Sequence, residues 1–536
     1  MLSGAWFRSC WHRCSPLMPP QSVIPMIVLK WPPIGLLLAA ALMTGTLAAE
    51  VRLPAIISDH MVLQRDHRNP IWGWDAPGTR VTVTLADQTL RAKADVNGRW
   101  EVRLAPFPAG GPHVLTVSGT SETQVKDVYF GEVWLCSGQS NMAWPLSRAN
   151  NGDLERLVGD DPLLRLISVP QVGTQQPQDD FSGQWETATA KSTKDFSAVG
   201  YFFGKRLREI LEVPVGLIDN AWGGSAAEAW VPRERLEASG QFDALLKGWD
   251  HRVRNFDYSA LQAAYEQRLA DWEHAAEAAK AAGKPVPRKP RRPRNILTGQ
   301  HRPGNLFNGV LYPVVGYGLR GVIWYQGETN ADRAQQYREL FPLLIQTWRD
   351  VWGQGDFPFY WVQLADFRAE VTEPADSAWA ELREAQTLTL DRLHNTGQAV
   401  IIDSGEANDI HPRDKQTVAD RLARIALARD YGKDIVHHSP RFRAMRLDGK
   451  RAVIAFHTGE ATDNALDTFD TNTLKGFAIA GKDRRFVRAT ARITGPAEVT
   501  VWSDDVAEPV DDRSNWADNP IGNLHNRAGL PATPFR

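Results

Sequence analysis

Cysteine is nearly absent from this chain. Three occur in 536 residues, at positions 10, 14 and 136, so no disulfide framework underlies the fold. Cys136 lies inside an apolar run, which marks it as a buried, inert thiol rather than a nucleophile. His-x-x-x-His spacing is missing too, and no metal or other cofactor is expected. Strong net charge is the next absence: 61 Lys and Arg face 63 Asp and Glu, a formal charge of -2. Such a balance offers no field for steering toward nucleic acid or an anionic membrane, and it suits a neutral ligand. Long apolar runs are also lacking. The run at residues 36–47 ends in Ala48-Ala49-Glu50 and has the length and small-residue ending of a secretory signal, with cleavage near Ala49. The short basic start from Met26 to Lys30 places the expected initiator at Met26. No later stretch is apolar enough to span a bilayer, so the mature chain is expected to be exported, periplasmic or secreted, with no membrane partner. The sequence does not set its oligomeric state.

Tryptophan, in contrast, is abundant, with 20 residues. Most belong in a core, and a few suit the flat apolar walls on which sugar rings stack. The length calls for two or three domains. Residues 50–127 alternate apolar and polar positions between turn pairs such as Pro77-Gly78 and Gly110-Gly111, the pattern of a small antiparallel β-domain. Asn97-Gly98 between two such runs marks a hairpin. From 128 to 434 the texture becomes helix alternating with short apolar strands at 133–137, 215–218, 321–325, 359–364 and 399–402. That alternation predicts an α/β fold, a parallel sheet with helices on both faces. A helical, Pro-rich insertion at about 250–300 interrupts it, and the six basic residues of 284–294 read as an exposed linker rather than a docking patch. Strands return from 435 to 536 as a C-terminal β-module.

The stretch around which the rest is organised is Val133-Trp134-Leu135-Cys136-Ser137-Gly138-Gln139-Ser140-Asn141-Met142. A buried strand stopping at Gly138 would present Ser140 as a nucleophile, with a helix opening behind it to aim free N–H groups at the serine; a plain helix cap is the competing reading. In a doubly wound sheet, ligands bind beyond the carboxyl ends of the strands. Ser140, Gly224, Gln326 and the loop after Ile402 all fall at that edge. His411, in Asn408-Asp409-Ile410-His411-Pro412, is placed to reach Ser140 as its base.

Four ordered motifs, Gly138-Gln139-Ser140-Asn141-Met142, Trp222-Gly223-Gly224-Ser225, Trp324-Tyr325-Gln326-Gly327-Glu328 and Asp409-Ile410-His411-Pro412, resemble those of the sialate O-acetylesterase family, carbohydrate acetylesterases of the SGNH-hydrolase superfamily. The likeness runs from Met61-Val62-Leu63-Gln64-Arg65 to Gly529-Leu530-Pro531-Ala532. It implies a flavodoxin-like sheet and an acetylated glycan as substrate. It further implies Ser140 as nucleophile, His411 as general base, and an oxyanion hole of the Ser140 N–H, the Gly224 N–H and the Gln326 amide, donors worth roughly 3 kcal/mol each. Many superfamily members carry Asp three residues before the histidine, where this chain has Asn408. Asp409 is therefore the preferred triad acid because it shares the histidine's loop, with Asp403 or an unassisted Ser-His dyad as alternatives.

The acetylated sugar is open between sialic acid and a plant cell-wall polysaccharide such as xylan or xyloglucan. Functions of other classes are a glycosidase built on Glu328 or the Glu381/Glu384 pair, and a carbohydrate-binding protein without catalysis. Glutamates three apart share a helix face, which favours a salt-bridged or solvated pair. A binding surface, for its part, needs no convergence of serine, histidine and oxyanion donors.

Overall fold

The computed structural model describes residues 50–536 except 372, 460–463, 470 and 472. The expected leader, Met26, Cys10 and Cys14 lie outside the described residues.

One long strand, Glu122–Gly138, carries the architecture. Its first half alternates exposed and buried positions, and from Phe130 to Gly138 almost every residue is buried. The pattern follows from what flanks it. The first half pairs antiparallel with Gly110–Ser118, in a sheet with one solvated face. The second half lies between the parallel strands Val215–Asp219 and Gly321–Tyr325, where both faces are covered. The strand thus crosses residue 127 without a break.

The parallel sheet runs in the order Thr396–Ala399, Phe359–Val362, Gly321–Tyr325, Glu122–Gly138, Val215–Asp219, Asp161–Ser168, with Glu186–Ala188 antiparallel at its edge. Leaving out the Asp161–Ser168 edge and its antiparallel neighbour, this is the 2-1-3-4-5 flavodoxin-like order. Successive residues of each strand enter opposite layers. Val322 and Trp324 pack with the helices Ala334–Trp352 and Ala378–Leu388, whereas Ile323 and Tyr325 pack with Ala198–Leu211 and Lys415–Arg429. The fold is therefore the expected α/β sheet covered on both faces, with additional β-rich sheets. The order reverses between Glu122–Gly138 and Gly321–Tyr325, and Ser140 and Gln326 follow the ends of those two strands.

Asn97-Gly98 does not make the expected hairpin. Gly98 occupies a left-handed turn (φ 79°), but the strand before it, Gln88–Lys93, pairs with Arg80–Leu85, and the strand after it, Arg99–Leu104, pairs with Asn69–Trp74. The turn instead passes the chain between two sheets. A side chain at position 98 would collide with the Asp75 carbonyl, 2.4 Å from the added carbon, so the glycine answers to tertiary packing.

The insertion contains the helices Asp243–Arg254 and Tyr258–Ala281. The basic segment has no regular structure and returns along the second helix, where Trp272 Nε1 donates to the Pro287 carbonyl at 2.7 Å and Lys289 lies over the Trp272 ring. Beyond residue 435, Arg441–Asp448, Arg451–His457, Glu498–Trp502 and Thr490–Gly495 form an antiparallel sheet. Beside it lies a three-stranded sheet centred on Phe477–Ala480, and the two share an apolar cluster.

Candidate active site

Gly138 is required where the central strand ends. Its φ is 137°, and a Cβ there would lie 2.2 Å from the Tyr325 carbonyl oxygen of the adjacent strand. The chain then turns, closed by the Gln139 N–H to the Tyr325 carbonyl and the Met142 N–H to the Gln139 carbonyl, both 2.9 Å. The helix expected to open after Ser140 is not there. The first helical element to follow is the 3-10 turn Leu146–Arg148, so Ser140 sits on a turn rather than at a helix start.

His411 reaches this turn from the loop after Ile402. Its Nε2 lies 2.8 Å from Ser140 Oγ, and its Nδ1 lies 3.3 Å from Asp409 Oδ1, which also accepts the His411 backbone N–H at 2.9 Å. The imidazole stacks on Trp144 with centroids 5.0 Å apart. Burial holds its pKa below the ordinary histidine value; Asp409 opposes this and the charge of Lys415 reinforces it. The ring is therefore neutral near pH 7, the state a general base needs. Asp403 does not reach the histidine. Its two oxygens accept from Arg421 at 2.6 and 2.7 Å, and His525 lies at 3.6 Å. Burial alone would raise that carboxyl, but Arg421 and His525 hold it well below the usual carboxylate range.

The Trp222-Gly223-Gly224-Ser225 loop covers the serine. A Cβ on Gly223 would stand 3.5 Å from that of Ser140, and Gly224 takes φ 68°. The Gly224 carbonyl accepts from Thr329 Oγ1 at 3.2 Å and lies 2.8 Å from His301 Nε2. Among the described residues neither the Ser140 nor the Gly224 N–H donates to a protein acceptor.

Gln326 departs from the expectation. It is fully buried, and its amide nitrogen donates to the Ser225 carbonyl at 3.2 Å and to Asn330 Oδ1 at 2.7 Å, while its oxygen accepts from Tyr337 at 3.0 Å. Both amide hydrogens are committed, so Gln326 braces the glycine loop and has no donor left for an oxyanion.

Several neighbours of the serine had no part in the triad or oxyanion hole expected from the sequence. Asn141 joins Glu328, Lys415 and the Ile410 carbonyl. His301 and Gln300, from the far end of the insertion, touch the glycine loop. Lys415 had only its place after the histidine motif to recommend it. Of the groups considered for glycosidase chemistry, Glu384 pairs with Arg338 and Arg536, and Glu381 with Arg536. Cys136 is buried, which pushes its thiol pKa far up and disfavours thiolate. Among the described residues no group of three or more His, Cys, Asp and Glu is placed to hold a metal ion.

The known proteins that this chain resembles are carbohydrate esterases. Residues 312–432 match the family model described as carbohydrate esterase, sialic acid-specific acetylesterase. The sialate O-acetylesterase of Mus musculus is 33% identical over 430 residues, covering 73% of this chain and 75% of its own length. That of Homo sapiens is 31% identical, covering 73% of each. The crystal structure of a carbohydrate acetylesterase from Xanthomonas citri is 39% identical, with a TM-score of 0.74 over 91% of this chain and 99% of that one. A carbohydrate acetylesterase, and so an ester hydrolase, this chain belongs to the sialate O-acetylesterase family.

Proposed function

We propose that the chain removes O-acetyl groups from a glycan through an acyl-enzyme on Ser140. The observation that carries this reading is the 2.8 Å contact between Ser140 Oγ and His411 Nε2 at the carboxyl edge of the sheet. His411 takes the hydroxyl proton as Oγ attacks the acetyl carbon, and Asp409 holds the Nδ1 hydrogen and stabilises the imidazolium. The Ser140 and Gly224 N–H groups receive the oxyanion; Gln326 acts on it only by holding the glycine loop. The Oγ–C bond forms, the bond from carbon to the sugar oxygen breaks, and the imidazolium proton passes to that oxygen. Water, deprotonated by the same ring, then attacks the acetyl carbon; the bond from carbon to Ser140 Oγ breaks, the imidazolium proton returns to Oγ, and acetate leaves.

The names of the curated relatives favour an acetylated sialic acid as substrate. The competing substrate is acetylated xylan or xyloglucan, and parallel acetate-release assays on both classes separate the two. Ser140→Ala tests the nucleophile. Its turnover on an aryl acetate should fall by about 10⁴-fold or more with an unchanged melting temperature. A folded alanine variant keeping a tenth of the activity would refute the acyl-enzyme on Ser140.

A further inference from the structure

Behind the serine and histidine lies a buried polar cluster that the chemistry above does not use. Asn141 directly follows the nucleophile, and Ile410 directly precedes the base. Asn141 Nδ2 donates to the Ile410 carbonyl at 3.0 Å and to Glu328 Oε1 at 2.6 Å, and its Oδ1 accepts from Lys415 Nζ at 2.6 Å. One amide therefore ties the Ser140 turn, the loop after Gly321–Tyr325, the histidine loop and the first turn of Lys415–Arg429. Asn141 is 1% exposed and Lys415 fully buried. From these contacts we propose that Asn141, held between Glu328 and Lys415, is a positioning residue that sets the Ser140–His411 distance for attack. The proposal rests on the esterase reading.

The charges explain why the amide has one orientation. A carboxylate at one end calls for the NH2 group, and an ammonium at the other calls for the oxygen; a flipped amide would face two like partners. With that orientation imposed, the second Nδ2 hydrogen must point at the Ile410 carbonyl, one residue from the base. Glu328 and Lys415 are not paired directly but are bridged by the Asn141 amide; buried polar groups kept for packing alone are readily replaced by apolar side chains, so this bridge beside the reacting groups calls for such a role. Burial drives the Lys415 ammonium down to about 7, against the pull of Glu328, Glu406, Asp409 and Asp414. The rings of Trp144 and Tyr325 lie 5.8 and 5.4 Å from its Nζ. Its charge also faces His411, where it disfavours imidazolium.

The test compares the full-length enzyme with Asn141→Asp, Lys415→Met and Ser140→Ala on an aryl acetate, with melting temperatures measured alongside. Asn141→Asp keeps the shape but sets a carboxylate against Glu328 and the Ile410 carbonyl. Both positioning variants should lose about 10²-fold in kcat with KM changed less than about threefold, as small misplacement of reacting groups does. In Lys415→Met the acid limb of kcat/KM should also move to higher pH, because the cation that disfavours imidazolium is gone; a residue needed only for packing would not move it. If Ser140→Ala is inactive while folded Asn141→Asp keeps wild-type kcat, or Lys415→Met keeps both wild-type kcat and the wild-type acid limb, the positioning role is overturned and the esterase reading survives. An active Ser140→Ala overturns the reading beneath both.

Discussion

Asp403 and Asp409 leave the same strand on one connection, yet their surroundings give them different work. Asp403 stands in the turn just past Thr396–Ala399 with both oxygens on Arg421, whose side chain is 11% exposed. Asp409 is half-exposed on the loop and turns one oxygen to both nitrogens of His411 that face it, the backbone N–H and Nδ1. A carboxylate already neutralised by a guanidinium has little field left to stabilise an imidazolium. The aspartate nearer the strand anchors the start of the connection, and the one farther along it faces the imidazole.

The sharpest way to break the contrast is Asp409→Asn. It should lower kcat by about 10² to 10⁴-fold with little change in melting temperature, since the neutral amide favours the wrong tautomer and removes the charge. Initial rates on an aryl acetate would show it, and a loss below tenfold would leave a working Ser-His dyad. Next comes acid. The neutral imidazole is the active form and burial lowers its pKa, so the acid limb of kcat/KM should have its midpoint below the ordinary histidine value of 6.5 and fall about tenfold per pH unit beneath it. A midpoint above 6.5 would contradict the burial argument. Gln326→Ala should cost about 2–4 kcal/mol of stability in denaturant melts, while turnover of the folded fraction falls less than about tenfold. A fall of 10² to 10³-fold at unchanged stability would make Gln326 an oxyanion donor after all.

The smallest effect on turnover belongs to Asp403→Asn, within about twofold by initial rates, with a stability loss of about 2–4 kcal/mol from the uncompensated Arg421. The folded carboxyl is held below its unfolded value, so its contribution is complete above the ordinary carboxylate pKa and disappears as pH falls through the lower, folded one. The difference in melting temperature between the two proteins should therefore shrink in acid.

Much of the sheet was legible because burial writes itself into local pattern. The alternation before Phe130 and the apolar run Val133-Trp134-Leu135-Cys136 correspond to a half-solvated and a fully covered stretch of one strand. Asn97-Gly98 was misleading for a physical reason: the dipeptide specifies a left-handed turn but not which strands pair beyond it, and Asp75 and the two sheets decided that. The glutamates at 381 and 384 were legible as a salt-bridged or solvated pair because helical spacing puts them on one face, while their partners Arg338 and Arg536 come from distant segments.

What the sequence by itself determined is what depends on neighbours along the chain: the strands and helices, the glycine that ends the central strand, and the short motifs that carry the serine and histidine. Only the tertiary structure decided which aspartate faces the imidazole, that the Gln326 amide is spent on Ser225 and Asn330, and that Lys415 is buried against Asn141. These depend on the direction of a side chain and on partners brought from distant segments. The same residue types at the same positions could serve as acid, donor or brace until the sheet set their partners.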